Sequence, residues 1–530
     1  MGLVATHPPG VAWSDSRAFD QATPLLGRAL LAECAESLAI RDADTAITWA
    51  QLVALTESTA RRMTAHGVRR GHVVSVQLPN WWEAIVASWA VWRLGAVLNP
   101  ITPIYRGSEL RTIFAMAKPA LVLTPGEFGS TDYLGMTSTA LRDSQVDAAV
   151  CAIRPERSDG EVLGAGSQQG IELPQLDTLS VDDVSVLMFT SGTTGRPKGV
   201  LHSQRTLLYE AWSIAERFAL HEPVVFMPSP LTHITGLLYG ILLPVLTRGS
   251  VVLQDRWETE RAVDIVEGEG CTFCVGATPF LSGLVEEYRR RGITSTLGGF
   301  VCGGADVPPA VIEEADRVMG TTAVRAYGLT ELPTLTCGLP DEPIARRCAD
   351  DGLLIGSSQA RLVNLVDGVG ELEARGPEMF LGYLDPRDND AAFTKDGWFR
   401  TGDLAAMDGN RVRIAGRSKD IIVRGGENLS PIEVENIIRD MEFVTDVAVV
   451  GVPDVVLGER ACAIVVVDGP PPTLEEIRAF LDTRQLARQK APEHLLVTPS
   501  LPRTPSGKVQ KYVLRDWAAQ RLASGEGESR

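Results

Sequence analysis

Residues 190–199, TSGTTGRPKG, combine glycines, hydroxyls and a lysine directly behind the apolar run SVLMF. Glycine permits positive φ and lets backbone N–H groups, that of Gly192 among them, close on an anion. The hydroxyls of Thr190, Ser191, Thr193 and Thr194 add donors, and Lys198 adds positive charge. Those are the parts of a polyphosphate cradle. The loop fails the Walker A pattern, because Gly199 rather than Ser or Thr follows Lys198 and the spacing is wrong. A flexible linker would share this composition, but a strand feeding straight into the loop favours the cradle.

Other chemistry-bearing residues stand in Gly-rich surroundings further along. They are Tyr327 and Glu331 in RAYGLTE, Asp403 in GWFRTGDL, Lys508 in PRTPSGKVQK and His233 in PLTHITG. Taken singly, each has an ordinary reading. Tyr beside Gly is usually core, and Asp after Gly is usually a turn residue. Lys in a Pro/Gly/Ser loop is usually solvated, and a lone His is often satisfied in a core.

The elements that would position these residues follow from periodicity. Between residues 80 and 330, apolar runs such as ALVLT (120–124), GSVVLQD (249–255), CTFCVGA (271–277) and GGFVCGG (298–304) alternate with helix-like stretches. That alternation predicts βαβ units and layered α/β subdomains. GLLYGILLPVL at 236–246 is too short to span a bilayer and reads as a core helix. Residues 154–180 read as a surface loop. Beyond 410, RVRIAG and DIIVRGG flank Arg417-Ser418-Lys419 and suggest a small β-ribbon. Ser430, Pro431 and Glu433 predict a capping box, and Thr473 with Glu476 predicts another. The fold class is a large α/β N-terminal domain of layered subdomains with a smaller, mobile α+β C-terminal domain. The boundary is set at 1–416 and 417–530.

Composition narrows the function. The 530 residues exceed one ordinary core, and 50 Lys+Arg against 67 Asp+Glu leave a net charge of −17. Such acidity disfavours nucleic acid and anionic membrane as general partners. The scattered 8 cysteines fit a reduced, cytoplasmic chain rather than a disulfide framework. Cys271-Thr-Phe-Cys274 lacks a second ligand pair and reads as buried thiols rather than a zinc site. The N-terminus shows no secretory signal, and its match to a myristoylation pattern, at Gly2 and Thr6, lacks a polybasic partner.

The order of these motifs resembles the superfamily of adenylate-forming enzymes: acyl-CoA synthetases, peptide-synthetase adenylation domains and beetle luciferases. TSGTTGRPKG is followed by PLTHITG (230–236), GGADVP (303–308), RAYGLTE (325–331), GWFRTGDL (397–404), GRSKDIIVRGGENLSPIEVE (416–435) and PRTPSGKVQK (502–511). NWWEAIVASWAVWRLGAVLNP at 80–100 also resembles the family. The resemblance implies ATP-dependent activation of a carboxylic acid as acyl-AMP, with Mg²⁺, followed by transfer to CoA. It implies that 190–198 holds the β/γ-phosphates. Gly303, Gly304, Ala305, Ala326, Tyr327 and Gly328 would hold adenine, with Tyr327 packed on the ring. Thr330 would donate to the α-phosphate and Glu331 would bind Mg²⁺. Asp403 would receive the ribose hydroxyls, and Arg417 would add a ribose or phosphate contact. Lys508 would bridge the attacking carboxylate and the α-phosphate, Lys419 would be the hinge, and Gly425 and Gly426 would face CoA. Position 423 is Val, where some relatives carry a basic residue nearby.

His233 and Gly236 would line the acid pocket. Amino-acid-activating relatives place an aspartate near this point, whereas PLTHITGLLYG has no carboxylate, so a substrate ammonium would be left unpaired. The wider segment most resembles ligases for cyclohexanecarboxylate-like and medium-chain acids. The rival reading is an adenylating enzyme that hands its product in trans to a carrier protein or partner enzyme. A nucleotide-binding regulator without turnover would have little use for Lys508.

Overall fold

The computed structural model describes residues 35–154, 171–190, 197–304, 307–366, 368–417, 420, 422–424, 427–454, 457–484, 486, 490–503 and 509–524. The chain forms two compact units. One comprises Met1–Gln359 with Ala374–Phe399, the other Ala360–Glu373 with Arg400–Arg530. Residues 400–416, read from sequence as the end of the first domain, thus group with the second unit.

Among the described residues, one sheet of the first unit has seven strands. Their order is Gly382–Tyr383, Lys198–Ser203, Val184–Thr190, Val97–Pro100, Val73–Val76, Leu121–Pro125 and Ala149–Ile153. VVSV, VLNP and LVLTP are buried at every position, as parallel strands covered on both faces must be. Helix Trp82–Arg93 is buried from Trp82 to Trp92, which explains why WEAIVASWAVW lacks a polar face. In a second sheet, Leu38–Asp42, Ser250–Leu253, Val224–Met227, Phe273–Gly276, Gly299–Cys302 and Thr322–Tyr327 lie side by side and parallel. The four apolar runs singled out above are therefore strands of a layered α/β unit.

The run 236–246 is helical and buried, with an unexpected detail. Leu237–Leu242 is π-helical, and the Leu243 N–H reaches back to the Leu238 carbonyl. Pro244 follows with no N–H to offer, at the point where α-helix resumes over Leu243–Thr247.

The second unit holds a five-stranded sheet of Glu427–Leu429, Ile422–Arg424, Gly458–Val467, Val444–Asp454 and His494–Val497. Alternation along Val444–Asp454 covers both of its faces. Val447 and Val449 pack with Val434 and Ile438 of helix Pro431–Ile438 and with Ile477 and Leu481 of helix Leu474–Thr483. Ala448 and Val450 pack with Leu514 and Ala518 of helix Lys511–Ala523.

Two local expectations are corrected. Among the described residues, the strands on either side of Arg417–Lys419 do not pair with each other. Arg411–Arg417 pairs with Phe399–Asp408, and Ile422–Arg424 pairs with Glu427–Leu429 and Gly458–Val467. The informative turn signal was Gly409-Asn410, the two-residue loop between paired Asp408 and Arg411, where Gly409 has φ +59°. The capping box at Ser430 is not formed either. The Ser430 hydroxyl donates to the Ala415 carbonyl at 2.5 Å, and Glu433 pairs with Lys490 at 2.6 Å. The box at Thr473 and Glu476 is complete.

Among the described residues no helix is long and apolar enough to cross a membrane. Cys271 and Cys274 are buried thiols. Burial and nearby acidic residues push Cys271 up to about 12, and burial raises Cys274 well above the ordinary thiol value.

Candidate active site

Thr190 and Lys198 stand opposite each other in an antiparallel pair, so the Gly/Ser/Thr loop is the connection of a hairpin. Ser191, Gly192, Thr193 and Thr194 lie outside the described residues. Gly199 is required by packing, since a Cβ there would lie 2.9 Å from Leu384 Cβ and 2.8 Å from Leu187 Cδ1. Lys198 Nζ sits 3.5 Å from Asp388 Oδ1 and 4.5 Å from the centroid of the Tyr383 ring.

The segments that begin at Gly303 and at Gly328 leave the carboxyl ends of adjacent parallel strands, the usual location of ligand sites in such sheets. A Cβ on Gly303 would lie 2.6 Å from the Ala326 carbonyl oxygen, so its small size serves close backbone approach. Among the described residues, a Cβ on Gly304, with φ +81°, would meet nothing within 4 Å. Ala305 is outside the described residues. Gly328 is forced by the Pro333 carbonyl, which a Cβ would meet at 1.8 Å. Next, Leu329 and Leu332 exchange backbone hydrogen bonds at 2.9 and 3.2 Å, placing Thr330 and Glu331 at the middle of a tight turn.

Three residues that sequence reasoning passed over hold this turn and the acid segment. Fully buried His202 bonds through Nε2 to the Thr330 carbonyl at 2.8 Å and through Nδ1 to the Thr206 hydroxyl at 2.9 Å. Burial drives its pKa down to about 4, so the ring is neutral at pH 7. The carbonyl can only accept, which fixes the proton on Nε2. Tyr383 donates its hydroxyl to Glu331 Oε1 at 2.7 Å, and the Phe380 N–H donates to the Glu331 carbonyl at 2.9 Å. Asn80, the first residue of the N-terminal motif, donates to the Ser229 carbonyl at 2.9 Å and accepts from the Leu231 N–H at 2.8 Å. It thereby fixes the chain entering His233.

His233 caps the short helix Ile234–Gly236, its Nδ1 accepting from the Thr235 N–H at 3.4 Å. A Cβ on Gly236 would lie 2.1 Å from the Pro230 carbonyl oxygen, so this position admits glycine alone without backbone rearrangement. Behind the pocket segment, the Tyr239 hydroxyl donates to Glu210 and lies 2.9 Å from Thr334 Oγ1. Glu210 is fully buried, and desolvation raises its pKa to about 8.

That shift has a testable sign. The unfolded carboxyl ionises near its ordinary 4.5 while the folded one keeps its proton to about 8. Glu210 therefore favours the native state most at low pH, and that contribution declines as pH rises between the two values. Glu210→Gln should flatten the loss of thermal stability between pH 5 and pH 8 by on the order of a few kcal/mol, read by calorimetry across pH. An unchanged pH slope would show that this acid is ionised throughout.

In the second unit, Asp403 is buried and directly opposite Arg417 in the register of the paired strands. Its N–H donates to the Thr401 hydroxyl at 3.1 Å. Lys419, Gly425, Gly426 and Lys508 are outside the described residues.

Comparison with known proteins follows the same two-part organisation. The AMP-binding enzyme profile matches residues 29–384, and the AMP-binding enzyme C-terminal domain profile matches 433–508. The chain is similar to the medium-chain fatty-acid–CoA ligase of Escherichia coli (strain K12), 34% identical over 87% of this chain and 84% of that one. It is also similar to the 3-[(3aS,4S,7aS)-7a-methyl-1,5-dioxo-octahydro-1H-inden-4-yl]propanoyl:CoA ligase of Rhodococcus jostii (strain RHA1), 33% identical over 93% and 98% of the two chains. Among solved structures, ATP-bound MatB from Rhodopseudomonas palustris superposes with a TM-score of 0.82 at 28% identity, covering 93% of this chain and 98% of that one.

Proposed function

The chain belongs to the AMP-binding enzyme family and is an ATP-dependent acid–CoA ligase, and from that premise we propose that its acid is apolar, without an α-amine, and medium-chain or ring-bearing. The enzyme activates its acid as acyl-AMP with loss of pyrophosphate and then transfers the acyl group to CoA. The observation behind the substrate reading is the pocket segment itself. Residues 230–240 contain no carboxylate, and Ile234, Leu237, Leu238 and Tyr239 are buried. The acids named for the two ligases above, one a fatty acid and one carrying fused rings, support it. Pyrophosphate exchange with a panel of acids is the test. Transfer in trans to a carrier protein or partner enzyme has less support, since both of those relatives are CoA ligases.

For the site we propose the following roles. The loop 190–198 receives the β- and γ-phosphates, with Lys198 as their cation. Tyr327 packs on adenine over the gap left by Gly304. Thr330 donates to the α-phosphate, and His202 holds that residue's backbone from behind. Asp403, with Arg417 opposite, takes the ribose hydroxyls. Lys508 meets the acid carboxylate and the α-phosphate, and the second unit turns about Lys419 before CoA approaches along Gly425 and Gly426. We place the enzyme in the cytoplasm on its reduced cysteines and acidic charge.

Glu331 fits Mg²⁺ bound to nucleotide, because that ion commonly takes one or two carboxylates and completes its shell with phosphate oxygens and water. When bound, Mg²⁺ would neutralise charge on the departing pyrophosphate. Glu331→Gln should lower activity and be partly rescued by added Mg²⁺. Asp403→Ala should raise the KM for ATP without metal rescue. Rescue of both variants, or of neither, in a Mg²⁺ titration of pyrophosphate exchange would remove these assignments.

A further inference from the structure

Tyr383 joins two parts of the proposed site that are far apart in sequence. Its hydroxyl donates to Glu331 Oε1 at 2.7 Å, and its ring faces the Lys198 ammonium at 4.5 Å. The surroundings allow the ring little freedom. Its strand pairs with the lysine's strand through Val200 opposite Tyr383, and the Leu384 N–H donates to the Gly199 carbonyl at 2.7 Å. Asn389 Oδ1 accepts from the Tyr383 N–H at 2.8 Å. Phe380 lies edge-on at 4.9 Å, within an apolar cluster that includes Val200, Ala392 and Phe399.

We propose that Tyr383 is a positioning residue that aims the Glu331 carboxylate and sets its distance from Lys198. The inference rests on the proposed metal role of Glu331. A carboxylate on a tight turn can swing, and Mg²⁺ demands near-ideal octahedral geometry, so a donor locked in a packed cluster restricts the carboxylate to one orientation. The ring serves a second purpose, since an aromatic face attracts a cation without neutralising it. Lys198 is thereby held beside Tyr383, where Asp388 Oδ1 also lies 3.5 Å from its ammonium.

Tyr383→Phe removes the hydroxyl and keeps the ring. Mn²⁺ binding to the enzyme with α,β-methylene-ATP, followed by electron paramagnetic resonance, is to be compared for the parent, Tyr383→Phe, Glu331→Gln and the double variant. Mn²⁺ affinity should fall about tenfold in Tyr383→Phe, the scale of one hydrogen bond to a charged group. The double variant should be no weaker than Glu331→Gln alone. In turnover, kcat should fall while the KM for the acid stays put. A Glu331→Gln effect on Mn²⁺ with parent-like binding by Tyr383→Phe would overturn the positioning role alone. Parent-like binding by Glu331→Gln would overturn the metal reading of Glu331 and the proposal with it. Additive losses in the double variant would show that Tyr383 acts elsewhere.

Discussion

Lys508→Ala should reduce acid-dependent pyrophosphate exchange by a hundredfold or more while leaving CoA transfer from supplied acyl-adenylate close to the parent rate. The reason lies in the charge changes of the first half-reaction. As the acid carboxylate attacks the α-phosphorus, negative charge gathers on the non-bridging oxygens and on the departing pyrophosphate. A fixed cation at that point stabilises the transition state more than the ground state. Loss of one such donor typically costs about 3–4 kcal/mol. The second half-reaction starts with the phosphate anhydride already made, and thiol attack on the acyl carbon has no need of a cation between carboxylate and α-phosphate. Separate stopped assays of the two steps distinguish the cases. Equal loss in both would place Lys508 in a role common to them, such as holding the adenylate.

The second large effect concerns the acid. Apolar acids without an α-amine should be activated and free phenylalanine should not, with a gap of several orders of magnitude. An ammonium buried without a carboxylate partner costs at least several kcal/mol, and residues 230–240 supply no carboxylate. Size should matter less steeply. Acetate leaves apolar volume unfilled at about 0.8 kcal/mol for each missing methylene, so octanoate, cyclohexanecarboxylate, benzoate or a polycyclic acid should exceed it. Exchange assays with all six acids under one condition decide the matter. Preference for phenylalanine contradicts the pocket reading as a whole, whereas preference for acetate contradicts only the argument from size.

Sequence reading succeeded where the information is local. The strand that carries SVLMF, the other short apolar strands and the capping box at Thr473 each depend on residues within a few positions. It failed where partners are distant. His202 meets Thr330 across 128 positions, Tyr383 meets Glu331 across 52, and Asn80 meets Leu231 across 151. Nothing in the neighbourhood of a histidine, tyrosine or asparagine announces such a partner. The capping box at Ser430 illustrates the same limit, because the Ala415 carbonyl competes for its hydroxyl. The β-ribbon error is different in kind. There the charged stretch Arg417–Lys419 was taken for a turn, although Gly409-Asn410 carried the better signal.

One face of helix Gln204–Arg217 carries Thr206, Glu210 and Arg217, spaced so that all three project alike. The first supports His202 beneath Thr330, and the second holds Tyr239 of the acid segment. The third donates to the Leu353 and Leu354 carbonyls at 3.2 and 3.0 Å and to that of Cys337. On the proposed roles, one helix face therefore braces both the acid segment and the turn at Thr330. A lineage that widens its diet by trimming Tyr239 strands Glu210 in the interior and loosens Thr334 in the same step. Drift toward new acids that keeps Tyr239 leaves the polar contacts to Glu210 and Thr334 in place.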